Sequence, residues 1–229
     1  MLKIYNLYHK IEEGTLSMKA LKAFLLSSCL LAVSSSATAI DFDFSGTFAN
    51  DNDVALFDFT VGAGGSTVTV FSSSWLAGDN GMGFDPILGI WDNAGNLITQ
   101  QDDGHNTGST LSNGVLYSHG TWDSYYDVFL AAGDYTASIT QYSNFAAGTT
   151  LAEGFTQDGN PNFTFDLGYG SQPMFNGVWS STDARTGDWE FHILNVAAAE
   201  ERELPAPATL ALMGLGLAGI GFARKKKQA

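Results

Sequence analysis

Ile87-Leu88-Gly89-Ile90-Trp91-Asp92-Asn93-Ala94-Gly95-Asn96-Leu97-Ile98-Thr99 is the stretch that decides the fold. Two apolar runs, Ile87 to Trp91 and Leu97 to Thr99, flank a run of Asp, Asn and Gly, the residues that accept tight-turn backbone geometry. That arrangement predicts a β-hairpin.

The same grammar extends in both directions. Phe42, Phe44 and Phe48 mark a first strand, and Val54 to Val61 a second. Gly62-Ala63-Gly64-Gly65 turns the chain into Thr67 to Phe71, where Val68 and Val70 alternate with Thr67 and Thr69. Tyr125 to Leu130 and Tyr135 to Ile139 flank Ala131-Ala132-Gly133-Asp134, a further hairpin signal. After a Gly/Pro/Asn-rich passage, Asn160 to Ser181, a last strand runs from Trp189 to Val196. Short β-rich runs at near-regular spacing predict an all-β, antiparallel β-sandwich of jelly-roll-like type. No long stretch between the termini carries a helical period with caps.

Charge is strongly partitioned. Between Ile40 and Leu204 there are 17 Asp and 5 Glu against only Arg185 and Arg202, a net charge of 2 − 22 = −20. The other basic residues lie in the first 22 positions and the last six. A field of that sign opposes nucleic acid and anionic lipid and suits divalent cations or solubility outside the cell.

The two ends read as addresses. Met18 opens a secretory signal with Lys19 and Lys22, an apolar core Ala23 to Val33, and an A-x-A cleavage site at Ala37-Thr38-Ala39. Residues 1–17 then precede the true start as a mis-annotated extension, and residues 18–39 are the signal peptide. Cys29, the single cysteine, falls inside the signal, so a chain cut after Ala39 has no disulfide and relies on its core. One β domain over 40–198, a linker over 199–204 and a tail over 205–229 follow. In the tail Pro205-Ala206-Pro207 leads into an apolar run, 208–223, and then Arg224, Lys225, Lys226 and Lys227. As a helix that run reaches roughly 24 Å, short of the roughly 30 Å hydrocarbon core but within reach of snorkelling or local thinning. Cations directly after a span stay cytoplasmic, which places the β domain on the far side of the membrane.

This tail closely resembles the PEP-CTERM sorting signal of Gram-negative bacteria: a Pro-Glu-Pro motif, a short Leu/Gly/Ala-rich span and a terminal basic cluster. Ala206 stands where the motif has Glu. In that family an integral-membrane cysteine-type transpeptidase, exosortase, acts near the motif. The resemblance implies exosortase as partner, transient contact with the inner membrane, and delivery to the cell envelope, the cell surface or the extracellular matrix. The order of elements over Asp41 to Gln141 is similar to the bacterial pre-peptidase C-terminal type of β-sandwich. The matching pieces are Asn50-Asp51-Asn52-Asp53 before Phe57-Asp58-Phe59, Asp85-Pro86-Ile87-Leu88, the turn Asp92 to Asn96, Asp102-Asp103-Gly104, and Leu130 to Tyr135. That resemblance implies an accessory domain, some relatives having calcium or matrix-binding roles.

Three chemistries remain for the β domain. Asp51, Asp53, Asp102, Asp103, Asp123 and Asp127 fall in predicted turns near strand ends and are candidate calcium ligands, since calcium takes several carboxylate and carbonyl oxygens from adaptable loops. The competing reading makes them Asx turns that cap their own backbone. Trp122, Tyr125 and Tyr126 are the candidate platform for a sugar ring, whereas Trp189, in an alternating strand, reads as core. Catalysis is not expected: there is no G-x-S-x-G elbow, no cysteine outside the signal, and His105, His119 and His192 lack metalloprotease spacing. The expected function is structural or adhesive work in exopolysaccharide or biofilm, with a calcium-dependent carbohydrate-binding module as the alternative.

Overall fold

A computed structural model describes residues 38–76, 83–104, 107–166, 173–176 and 185–202. The extension, the signal peptide up to Ala37, and the sorting motif, span and basic tail lie outside the described residues. Among the described residues no helix is long and apolar enough to cross a membrane.

Among the described residues eleven strands follow one another: β1 (Ile40–Thr47), β2 (Val54–Val61), β3 (Ser66–Ser72), β4 (Pro86–Asp92), β5 (Leu97–Asp102), β6 (Gly108–Ser112), β7 (Val115–His119), β8 (Tyr125–Leu130), β9 (Gly133–Gln141), β10 (Asp188–Val196) and β11 (Ala198–Glu201). Between β9 and β10 the described residues include a four-residue α-helix, α1 (Phe163–Asp166). The strands form one sheet in the order β1-β10-β3-β8 and a second in the order β11-β2-β9-β4-β5, with β6 and β7 paired only to each other. Ladders within both sheets are antiparallel. With β11 and the β6–β7 hairpin set aside, the remaining eight strands follow the strand order of a jelly roll, in which the chain crosses repeatedly between the two sheets.

The expected hairpin forms as β4 and β5. Asp92 Oδ1 accepts from the backbone N–H of Ala94 at 2.9 Å and of Asn96 at 2.8 Å, and Gly95 takes the left-handed backbone (φ 81°) that closes the turn. Alternation sets the faces. In β2, Ala55, Phe57, Phe59 and Val61 are buried while the residues between them are partly exposed. Phe57 meets Phe44, Phe191 and Trp189 of the facing sheet, with ring centroids 4.7, 4.7 and 5.7 Å away. Val68, Val70, Leu88, Ile90, Ala137, Ile139 and Ile193 complete this layer. Trp189 is core, as its strand pattern predicts.

Strand β4 breaks the alternation, with Pro86 to Trp91 all buried. Its outer face is covered because Trp91 folds back over Gly89, where an added Cβ would run into the indole, and Phe155 closes edge-on at 6.1 Å. The first sheet is covered too. Register places Asp43, His192, Phe71 and Tyr125 in one row across its four strands. Tyr117 and His119 of β7 lie against that row, 4.1 Å from the His192 ring and 5.5 Å from the Phe71 ring. Within the stretch expected to be a linker, 199–204, Ala199 to Glu201 pair with β2 as part of β11, and Arg202 donates two hydrogen bonds to the Asp58 carboxylate and one to Thr136 Oγ1.

Candidate metal centre

The β4–β5 ladder builds the site. Its register opposes Ile87 to Asp102, so Asp85, just before β4, meets Asp102 and Asp103 at the open end of the hairpin. One carboxylate oxygen from each of Asp85, Asp102 and Asp103 lies within 4.8 Å of the others. Neighbouring elements wall them in. Tyr142 N–H donates to Asp85 O at 2.8 Å, setting Tyr142 alongside. Ser124 Oγ donates to the carbonyls of Pro86 at 2.8 Å and Gln101 at 3.1 Å, which fastens the loop carrying Trp122 onto both strands of the hairpin. Gln101 Nε2 donates to Asp103 O at 2.8 Å, and Asp103 holds a left-handed backbone (φ 61°), which aspartate tolerates better than most residues. Asp85, Asp102, Asp103, Trp122 and Tyr142 line an open cleft of about 370 Å³.

Electrostatically the cluster is unbalanced. Asp85 is 1 % exposed. Burial, and then the neighbouring carboxylates, push its pKa up to about 9. Burial and Asp103 raise Asp102 to about 6. Asp85 Oδ1 and Asp102 Oδ1 are buried without a hydrogen-bond partner among the described residues. Such atoms are costly unless something compensates them. A raised acid pKa adds stability that is complete below the unfolded value and is lost as pH rises through the folded one. From about pH 7 to pH 9.5, with divalent cations chelated, the Asp85 contribution falls by about 2.5 kcal/mol. Thermal melts in chelator should therefore drop by roughly 5 °C over that interval, and Asp85→Asn should flatten the slope. A wild-type melting temperature that does not fall across it would show that Asp85 ionises normally in the fold.

The other aspartates read as calcium candidates are engaged in hydrogen bonds of their own, although Asp123 adjoins the cluster: its backbone oxygen accepts from Gly104 N–H at 3.0 Å and its charge adds to the rise at Asp85. Asp51 Oδ2 accepts from Thr164 N at 2.9 Å and Thr164 Oγ1 at 2.6 Å, and its Oδ1 from Phe175 N at 2.6 Å. Asp53 caps its own loop through the N–H groups of Ala49 at 2.8 Å and Asn50 at 2.9 Å. Asp123 accepts from Trp75 N at 2.9 Å, Gly120 N at 2.8 Å and Ser72 Oγ at 3.2 Å, and burial lifts its pKa to about 6. Asp127 takes the Thr69 hydroxyl at 2.6 Å across the strands. The geometry gathers Asp102 and Asp103, adds Asp85, and sets these four to hydrogen-bonding tasks.

The aromatic candidates separate. Trp122 lines the carboxylate cleft and its ring lies 5.9 Å from Trp75. Tyr125 packs against Phe71 and His119 on the outer side of the first sheet, and Tyr126 packs against the core. Sequence spacing also missed a second array. Asp43 Oδ1 is 2.7 Å from His192 Nδ1, and His192 Nε2 is 3.0 Å from Ser73 Oγ. These distances resemble a Ser-His-Asp triad. Two features set it apart from one. Ser73 Oγ donates to Glu190 Oε2 at 2.7 Å, and both Ser73 and His192 are buried beneath the β6–β7 hairpin. Burial holds the His192 pKa low, against the pull of Asp43.

Residues 203–226 match the PEP-CTERM protein-sorting motif. No curated protein matches the chain. The fold and this match define an all-β protein bearing a sorting signal of the exosortase-type system, which implies a secreted protein held at the cell envelope.

Proposed function

We propose that the chain is a non-enzymatic surface protein of a Gram-negative bacterium, exported by its signal peptide and delivered by exosortase through transient contact with the inner membrane. Its β domain does structural or adhesive work in extracellular polysaccharide. The observation that carries this reading is the sorting motif placed behind a β domain of net charge −20 over residues 40–204. A polyanionic domain stays soluble outside the cell and avoids nucleic acid and anionic lipid. Fractionation of cells with and without an exosortase gene tests it: the protein should leave the membrane fraction for the surface or matrix only when the gene is present. Equal distribution in both strains would remove the sorting claim.

A second reading, a calcium-dependent carbohydrate-binding module, is favoured by Trp122 lying in the same cleft as three carboxylates. An aromatic face takes the apolar side of a sugar ring, while a bound cation takes its hydroxyls. A glycan array run with and without calcium separates the two readings.

A further inference from the structure

We propose that Asp85, Asp102 and Asp103 hold a single calcium ion at the mouth of the Trp122–Tyr142 cleft. The inference is independent of the polysaccharide reading, deepens the second reading by naming the residues that hold its ion, and is tested without a glycan, so that its failure and a failure of sugar binding are distinguishable. Three observations support it. The carboxylate oxygens lie within 4.8 Å of one another, a span that one ion with calcium–oxygen bonds of about 2.3–2.6 Å can bridge. Asp85 is 1 % exposed and carries a buried oxygen with no hydrogen-bond partner among the described residues, as does Asp102. The cluster opens onto a cleft, which gives the ion an entry path and leaves coordination positions for water or a ligand oxygen.

The donor set contains only oxygen, which selects calcium or magnesium over zinc or copper. Calcium is favoured because it accepts six to eight oxygens in loose geometry, whereas magnesium demands a near-ideal octahedron and retains its waters. Asp85 sits before one strand and Asp102 and Asp103 at the end of its neighbour, so the ion would pin the open end of the β4–β5 hairpin. Calcium would also replace the proton that otherwise relieves repulsion within the cluster.

The test uses the full-length chain in mild detergent. Calcium should bind at one ion per chain, in the range of about 10⁻⁴–10⁻³ M usual for extracellular modules, and should raise the melting temperature. Terbium, an oxygen-seeking ion of similar size, should give emission sensitised by excitation of tryptophan. Trp122→Phe should reduce that emission and keep the calcium-induced rise in melting temperature. Asp85→Asn and Asp102→Asn should each weaken calcium binding at least tenfold. Asp85→Asn should fold, because it replaces a buried carboxylate by a neutral amide of the same shape, and circular dichroism checks this. Asp127→Asn, remote from the cluster, should bind as wild type. Absence of a calcium effect on both melting and terbium emission would overturn the proposal, as would wild-type affinity in folded Asp85→Asn. Equal affinity for magnesium would overturn the assignment to calcium.

Discussion

Replacing Asp51 with alanine should cost the fold about 3–5 kcal/mol and lower the melting temperature by roughly 10 °C. Asp51 is fully buried and joins three segments distant in sequence. Its own N–H donates to Pro161 O at 2.9 Å. Its carboxylate takes the N–H and hydroxyl of Thr164 and the N–H of Phe175. Alanine would leave two buried amides and a hydroxyl without their acceptor, and each such loss costs about 1–3 kcal/mol. Burial raises the Asp51 pKa while these donors pull it down, so its carboxylate depends on them. Asp51→Asn should lie between wild type and alanine, since the amide keeps one acceptor but turns an N–H₂ group towards donors. Melts with and without calcium should show the same loss. A loss under about 1 kcal/mol would mean that water replaces the carboxylate and that the loop is not held as described.

Phe57→Ala should be comparably damaging, at about 3–5 kcal/mol, because it empties the centre of the sandwich. Phe57 is fully buried, and its ring touches aromatic rings from β1 and β10 of the opposite sheet. The loss combines the transfer of the ring with the cavity left between two sheets whose backbones are fixed by their ladders. Phe57→Leu should recover most of the loss by refilling part of that volume. Chemical denaturation with an unchanged m-value checks both variants, and a Phe57→Ala variant within about 1 kcal/mol of wild type would contradict the packing.

The strands that were legible in the sequence are those whose pattern is local. Val54 to Val61 and Tyr125 to Leu130 form with the boundaries expected of them, and the other expected strands form within a few residues of theirs. The β6–β7 hairpin carries no clear strand pattern in its sequence, although Asn113-Gly114 is a strong turn pair and both residues take positive φ (46° and 83°). Its flanks hid it: Leu111, Val115 and Leu116 are exposed, and the buried members are Ser112 and His119, so no apolar face alternates there. Strand β11, Ala-Ala-Glu-Glu, carries no strand signal, and only pairing with β2 makes it one. Asp102 and Asp103 stood out as turn carboxylates. Asp85 did not, because its partnership depends on counting the ladder back from the Asp92–Asn96 turn across a bulge at Ile90/Trp91.

By itself the amino-acid order determined the β character, the turn positions, the acidity of the domain and the C-terminal sorting motif. Each of these is written in residues close together along the chain, where period, turn chemistry and charge act locally. Tertiary structure alone decided which aspartates share a cleft, which cap loops, and that Asp43, His192 and Ser73 adjoin. Those outcomes depend on ladder register and on the crossing of strands between sheets, and long-range pairing is chosen by the burial of the whole core rather than by any one segment.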